Sequence, residues 1–153
     1  MRNRTITDLK EIEAIIKNAR FCHLAMSSSD NMPYVIPMNF GYKDGVFYFH
    51  GAAKGKKIQI LKDRPSVCIA ISTDQELRWQ NENVACSYSM KYRSILAHGK
   101  VEFIQDPEEK KICLEIVMSH YSEREFIFSP PSLREVCCWK IKADPLEGRI
   151  YGY

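Results

Sequence analysis

Apolar side chains recur at helical spacing near the start of the chain and at alternate positions through most of the rest. Within residues 7–20, Leu9, Ile12, Ile16 and Ala19 share one face, which predicts an amphipathic helix with Asp8 and Glu11 placed as a capping box. From residue 21 the period changes. Residues 21–27 predict a strand, 28–31 carry turn chemistry, and 32–42 predict a second strand. Pro33 and Pro37 lie inside that second run, and proline brings no N–H to a ladder. The run therefore belongs at an edge, a strand start or a bulge, where backbone can face a ligand. Asp44 and Gly45 close a hairpin into residues 46–50, where Val46, Tyr48 and His50 alternate with Phe47 and Phe49.

Small residues at 51–55 lead into a short helix over residues 56–62, with Ile58 and Leu61 inward and Arg64 and Pro65 as its stop. Residues 66–73 predict a strand and the polar stretch 74–83 a loop. Alternation resumes near Cys86 and continues through residues 94–104, as one long strand or two in line, with Gly99 as a bend. Asp106 caps the next helix, Pro107 takes its first turn and Glu109 completes the box, with Ile112, Cys113, Ile116 and Val117 as the apolar stripe. A loop holding Pro130 and Pro131 precedes a last strand over 136–141. Six strands joined mostly by hairpins, with helices inserted rather than alternating, predict a mainly β (α+β) fold. Its form is an antiparallel barrel with peripheral helices, built as one domain over 1–153.

Composition narrows the function. The 153 residues are 45% hydrophobic, enough for a core without covalent staples. The 22 Lys and Arg are interspersed with 19 Asp and Glu, and a net charge of +3 without a basic stripe argues against a nucleic-acid partner. No apolar run reaches the ~18 residues of a membrane helix, and the first ten residues are too polar for a signal peptide, so no membrane association and a cytoplasmic location are expected. Cys22, Cys68, Cys86, Cys113, Cys137 and Cys138 contain no C-x-x-C pair and read as reduced thiols, and their spacing predicts no metal site. Neither a G-x-G-x-x-G nor a Walker A is present, which disfavours a dinucleotide fold.

Three clusters could carry chemistry. Residues 48–57, Tyr-Phe-His-Gly-Ala-Ala-Lys-Gly-Lys-Lys, end a strand and open a helix. Unpaired N–H groups there, with Lys56 and Lys57, outline a phosphate site, although Lys54, Lys56 and Lys57 on a solvated turn would look the same. Residues 87–94 offer hydroxyls and two cations. On a strand Arg93 faces away from Tyr92 and Ser94, so only one set reaches a given ligand, and a solvated sheet face is the plain alternative. Residues 35–41 combine a proline-broken ladder with Asn39, a setting in which backbone meets the polar edge of a flat conjugated ligand while apolar side chains cover its face.

In order and spacing these clusters, with Ile6-Thr-Asp8, Ala19-Arg-Phe-Cys-His-Leu-Ala25, Met90-Lys-Tyr-Arg-Ser94, Gly99 and the helix opened by Asp106, resemble a known group. It is the FMN-binding split-barrel superfamily related to pyridoxamine 5'-phosphate oxidase, in its 5-nitroimidazole resistance branch. The resemblance spans nearly the whole chain. It implies a six-stranded split barrel that forms a homodimer, with FMN, or FAD in its place, in clefts between subunits. It also implies that Lys56 and Lys57 hold the phosphate, Arg93 and Ser94 add polar contacts, and Ile36, Pro37, Met38 and Asn39 line the isoalloxazine. His50 would contact the ring and serve as the catalytic proton donor. The late Arg-x-His substrate motif of the true oxidases has no counterpart, since Arg149 is followed by Ile150 and Tyr151. The resemblance thus implies a flavin-dependent reductase of small nitroaromatic molecules. The alternatives are a flavin-binding or small-molecule-sequestering protein with little turnover, and a haem-binding split-barrel relative.

Overall fold

The computed structural model describes residues 3–153. In chain order the elements are β1 (Asn3–Ile6), α1 (Leu9–Asn18), β2 (Cys22–Ser27), β3 (Pro33–Met38), β4 (Gly41–Lys43), β5 (Val46–Ala52), α2 (Lys56–Asp63), β6 (Ser66–Arg78), β7 (Ser89–Ile104), α3 (Pro107–Ser119), α4 (Pro130–Glu135), β8 (Val136–Lys142) and β9 (Leu146–Tyr151). Every pairing is antiparallel. The strand order is β3-β2-β6-β7-β8-β5-β4, with β9 joined to β7 and β1 to β9.

β7 belongs to two sheets. One edge pairs with β6 along most of its length, while the other pairs first with β9, from Tyr92 to Ala97, and then with β8, from Val101 to Ile104. The change of partner falls at Gly99, the expected bend. A Cβ there would overlap the Lys142 carbonyl oxygen and lie 2.6 Å from Ile141 Cγ2, so only glycine lets the β8–β9 connection cross this closely. The result is a split barrel. Its interior is filled by Leu24, Phe47, Phe49, Ile69, Ile71, Ile95, Trp139 and Ile141, with Ile12, Ile15 and Ile16 of α1 packed against them. Each such side chain contributes roughly 1.5–3 kcal/mol by leaving water. A smaller core of Ile104, Cys113, Leu114, Leu133 and Cys138 lies beneath α3 and α4.

Nine strands replace the six expected. β1 and β9 are short and pair with each other across the length of the chain, so neither has a local turn to announce it. The run 32–42 divides into β3 and β4. The stretch 74–83 is not all loop, because β6 resumes after a bulge between Thr73 and Glu76 and continues to Arg78. Cys86 lies in a 3-10 turn, so β7 is a single strand that begins only at Ser89. Pro130 and Pro131 open α4, which Ser129 caps, rather than a loop.

Both helix caps form as expected, Asp8 accepting from the Glu11 N–H at 3.1 Å and Asp106 from the Glu109 N–H at 3.0 Å. The Glu11 carboxylate takes Arg4 at 2.6 Å instead of closing its box. The buried face of α1 is Ile12, Ile15 and Ile16, with Leu9 exposed. α3 is likewise rotated from the expected stripe. Its buried face is Lys110, Cys113, Leu114 and Val117, and Ile112 is left in solvent. Lys110 is inside because its ammonium donates to the Leu133 and Val136 carbonyls, at 3.1 and 2.8 Å, which ties α3 to the end of α4. Among the described residues no helix is long and apolar enough to cross a membrane.

Gly99→Ala should force β7 away from the β8–β9 connection and cost about 1–3 kcal/mol, lowering the thermal midpoint by about 2–4 °C for each kcal/mol. Thermal denaturation followed by circular dichroism measures this. An unchanged midpoint would contradict the close approach at Gly99.

Candidate functional site

The loop after β5 enters α2 through Gly55, whose φ of +117° suits glycine and whose position leaves the helix start with no side-chain cap. The first-turn N–H groups are therefore available to an external acceptor. Lys57 turns back from this first turn across β5. Its ammonium lies 3.6 Å from Met38 Sδ and 5.4 Å from the centre of the Trp139 ring. It also sits where a side chain on Gly51 would stand, 3.1 Å from an ideal Cβ. Among the described residues it meets no carboxylate. Burial pushes its pKa below the ordinary lysine range. Lys56 extends over the Tyr34 ring at 4.6 Å. Four elements thus converge on one partly desolvated, unpaired cation.

β3 supplies the neighbouring wall. It is an edge strand with β2 as its one partner, which is where Pro33 and Pro37 require it to be. Tyr34, Ile36 and Met38 lean toward the core, while Val35 and Pro37 face out and Asn39 is exposed just beyond the strand. The four residues Ile36, Pro37, Met38 and Asn39 are accordingly shared between two faces.

His50 lies opposite Cys138, which is buried in the smaller core. Phe49 and Gly51, on either side of it, face the barrel interior and Lys57, so the imidazole is on the other face of β5. Its Nδ1 is buried without a hydrogen-bond partner among the described residues, as is Trp139 Nε1. Burial, and then the Lys57 charge, hold its pKa below the ordinary histidine value.

Arg93 and Ser94 form a separate group in the single chain, with β2 and β6 standing between their strand and β3. The Arg93 guanidinium donates to Asp74 Oδ2 at 2.9 Å and stacks 4.1 Å from the Tyr153 ring centre. Asp74 has a φ of +56° at the β6 bulge, and its carbonyl accepts from the Tyr153 hydroxyl at 2.6 Å. Ser94 points the other way, onto the outer face of the sheet opposite Ser72. Among the described residues no helix covers that outer face. Register places Pro37, His23, Ala70 and Leu96 in one row across β3, β2, β6 and β7, and Val35, Ala25, Cys68 and His98 in the next. Its centre is small and half-buried, at Ala25, Cys68 and Ala70, and Val35 and Leu96 are exposed apolar side chains beside it.

The expected residues Lys57 and Met38 come together here, whereas Tyr34, Gly51 and Trp139 beside the lysines were not expected as site residues. Tyr34 and Trp139 approach the lysines through non-local strand pairing, and Gly51 matters only because the lysine crosses it. The one local signal was the run of small residues at 51–53 ahead of the lysines.

Compared with known proteins, residues 8–150 match the family model described as pyridoxamine 5'-phosphate oxidase. A candidate 5-nitroimidazole antibiotic resistance protein from Bacteroides thetaiotaomicron is 40% identical, with a TM-score of 0.88, over 97% of this chain and 87% of that one. The FAD and haem binding protein from Mycobacterium smegmatis superposes with a TM-score of 0.85 at 14% identity, over 97% of this chain and 74% of that one. A flavocytochrome from Azotobacter vinelandii superposes with a TM-score of 0.83 at 18% identity, over 97% of this chain and 70% of that one. At such identities the likeness is one of fold. A comparison with curated protein sequences finds no match.

The depressed His50 pKa has a consequence for stability. The unfolded chain takes up the proton more readily than the folded one, so this contribution is fully present above about pH 6.5 and is lost as pH falls toward the folded-state pKa. Thermal midpoints measured at about pH 7.5 and about pH 5.5 should fall further for the natural chain than for His50→Gln. Equal losses in the two proteins would mean that His50 is not held neutral by its surroundings.

Proposed function

The chain belongs to the pyridoxamine 5'-phosphate oxidase family, and on that premise we propose that two copies hold FMN between them and reduce nitroaromatic compounds such as 5-nitroimidazoles. The observation that carries this reading is Lys57, a half-buried ammonium with no carboxylate beside it, at the uncapped start of α2. Such a group gains most from an anion that replaces its lost water. The residues present fit a flavin phosphate. Lys57, with Lys56 and the first-turn N–H groups of α2, would hold it, and Ile36, Pro37, Met38 and Asn39 would border the ring. Bound flavin would supply electron pairs to the acceptor. Ser94, on the uncovered sheet face, would be the polar contact offered to the second copy, whereas Arg93 is engaged by Asp74 and Tyr153.

The dimer is part of the same proposal. An antiparallel sheet face with small residues at its centre and apolar ones around them is the kind of surface a twofold partner covers. We read the protein as cytoplasmic, with its six cysteines free, and as acting on a small molecule without nucleic-acid partners. Kinship with the candidate resistance protein supports the nitroaromatic substrate class.

His50 is the proton donor in this reading. Its Nδ1 makes no bond within the described chain, and the ring is kept mainly neutral by burial and by Lys57. An anion on Lys57 would offset that like charge and move the imidazole back toward the pH range in which it donates. The competing reading, a flavin-binding protein with little turnover, draws on the position of His50 on the face of β5 away from Lys57.

Lys57→Ala should weaken FMN binding about tenfold to a hundredfold, the loss of a charge-assisted contact worth roughly 1.5–3 kcal/mol. Fluorescence titration measures it, and unchanged affinity would remove the phosphate assignment. On protein loaded with FMN, His50→Ala should keep most of the flavin and lose nitroimidazole reduction by about 10²-fold or more. Full turnover per bound flavin in that variant would end the proton-donor role, and no turnover in the natural protein with a chemical reductant would favour the low-turnover reading.

A further inference from the structure

On another part of the molecule, α1, the β4–β5 turn and α3 enclose a cleft of about 420 Å³, within the range of small-molecule sites. Its walls are fixed by backbone contact. A Cβ on Gly41 would lie 2.6 Å from the Ile116 carbonyl oxygen and 2.7 Å from the Val117 nitrogen, so α3 is pressed directly onto β4. Ile16 and Ile116 give the cleft an apolar lining.

Two half-buried side chains inside it, Glu13 and His120, offer acceptors, and the Tyr42 hydroxyl is a donor already turned to Glu13. Glu13 accepts a long hydrogen bond, 3.3 Å, from the Tyr42 hydroxyl and makes no ion pair among the described residues, although Lys17 stands four positions along the same helix. The negative charge of Glu13, after burial, helps push the Tyr42 pKa up to about 12. His120 is clamped between the Phe40 and Tyr121 rings, at 4.5 and 4.9 Å. Its Nε2 lies 2.6 Å from the Ala19 carbonyl oxygen, which can only accept, so the proton of the neutral ring is on Nε2. Nδ1 of the half-buried neutral ring is then an acceptor with no protein partner among the described residues. The last turns of α1 and α3 both border the cleft and bring the negative ends of two helix dipoles to it. Lys17, Lys43 and Asp44 are on the exposed rim, where water screens them.

We propose that this cleft binds a small organic ammonium, a primary amine or amidine on an apolar body, with Glu13 as its counter-ion and His120 Nδ1 as a second acceptor. The site is built from α1, β4 and α3, not from α2 and β3, and the proposal does not depend on the flavin reading.

The test uses the full chain, labelled with nitrogen-15, titrated with benzylamine and separately with benzoate as the charge-reversed probe at equal ionic strength. Benzylamine should shift the amides of the last turns of α1 and α3 and of the β4–β5 turn in a saturable way, and benzoate should not. Glu13→Gln should weaken benzylamine about tenfold, while Tyr42→Phe, which leaves the carboxylate in place, should retain binding. Saturable binding of benzoate in the cleft, benzylamine affinity unaffected by Glu13→Gln, or no saturable shift with either probe would overturn the proposal.

Discussion

The structure depends on a single strand serving two sheets. Because β7 gives up β9 for β8 at Gly99, the sheet on one side continues through β6, β2 and β3 while the other continues through β5 and β4. Closing the barrel in this way fixes what lies inside and what is left open. Trp139 of β8 and Gly51 of β5 are carried under α2, and Lys57 has one direction in which to lie. The same closure leaves the outer face of β2, β6 and β7 without a covering helix among the described residues. Both the desolvated cation and the uncovered face follow from the partner change at one glycine.

Energetically, the Lys57 environment is an unfinished one. Taking an ammonium partly out of water carries a cost, and a thioether and an indole face return only part of it. The remainder appears as the lowered pKa of the lysine, and the Lys57 charge adds to the burial that lowers the pKa of His50. In the proposed complex an anion at the head of α2 would stabilise the lysine charge and offset the smaller, Lys57-derived part of the His50 shift. Arg93 is the opposite case, since Asp74 and Tyr153 already satisfy much of its charge.

What could be read from the sequence was local. Asp8 and Asp106 announced two helices by their chemistry, Pro33 and Pro37 announced an edge strand because a ladder cannot use them, and Gly99 marked the bend. The start of α2 at Lys56 was legible from the small residues before it. What escaped depends on contacts distant in sequence. β1 becomes a strand only by pairing with β9 at the far end of the chain, β9 by pairing with β1 and β7, and Lys110 faces inward because the end of α4 offers two carbonyls. The lysine site was visible as charges on a turn, but the Trp139 and Gly51 that desolvate one of them required the β5–β8 register. The resemblance in motif order supplied the split-barrel form but carried the same count of six strands as the periodicity.

In the proposed assembly flavin and dimer are one unit, each FMN being held at a junction of two copies. Sedimentation velocity, followed both by flavin visible absorbance and by protein absorbance, tests this most directly. A single boundary at the dimer mass is expected, in which flavin and protein move together at one FMN per chain. Flavin travelling with a monomer, or a stable dimer that sediments away from its flavin, would contradict it.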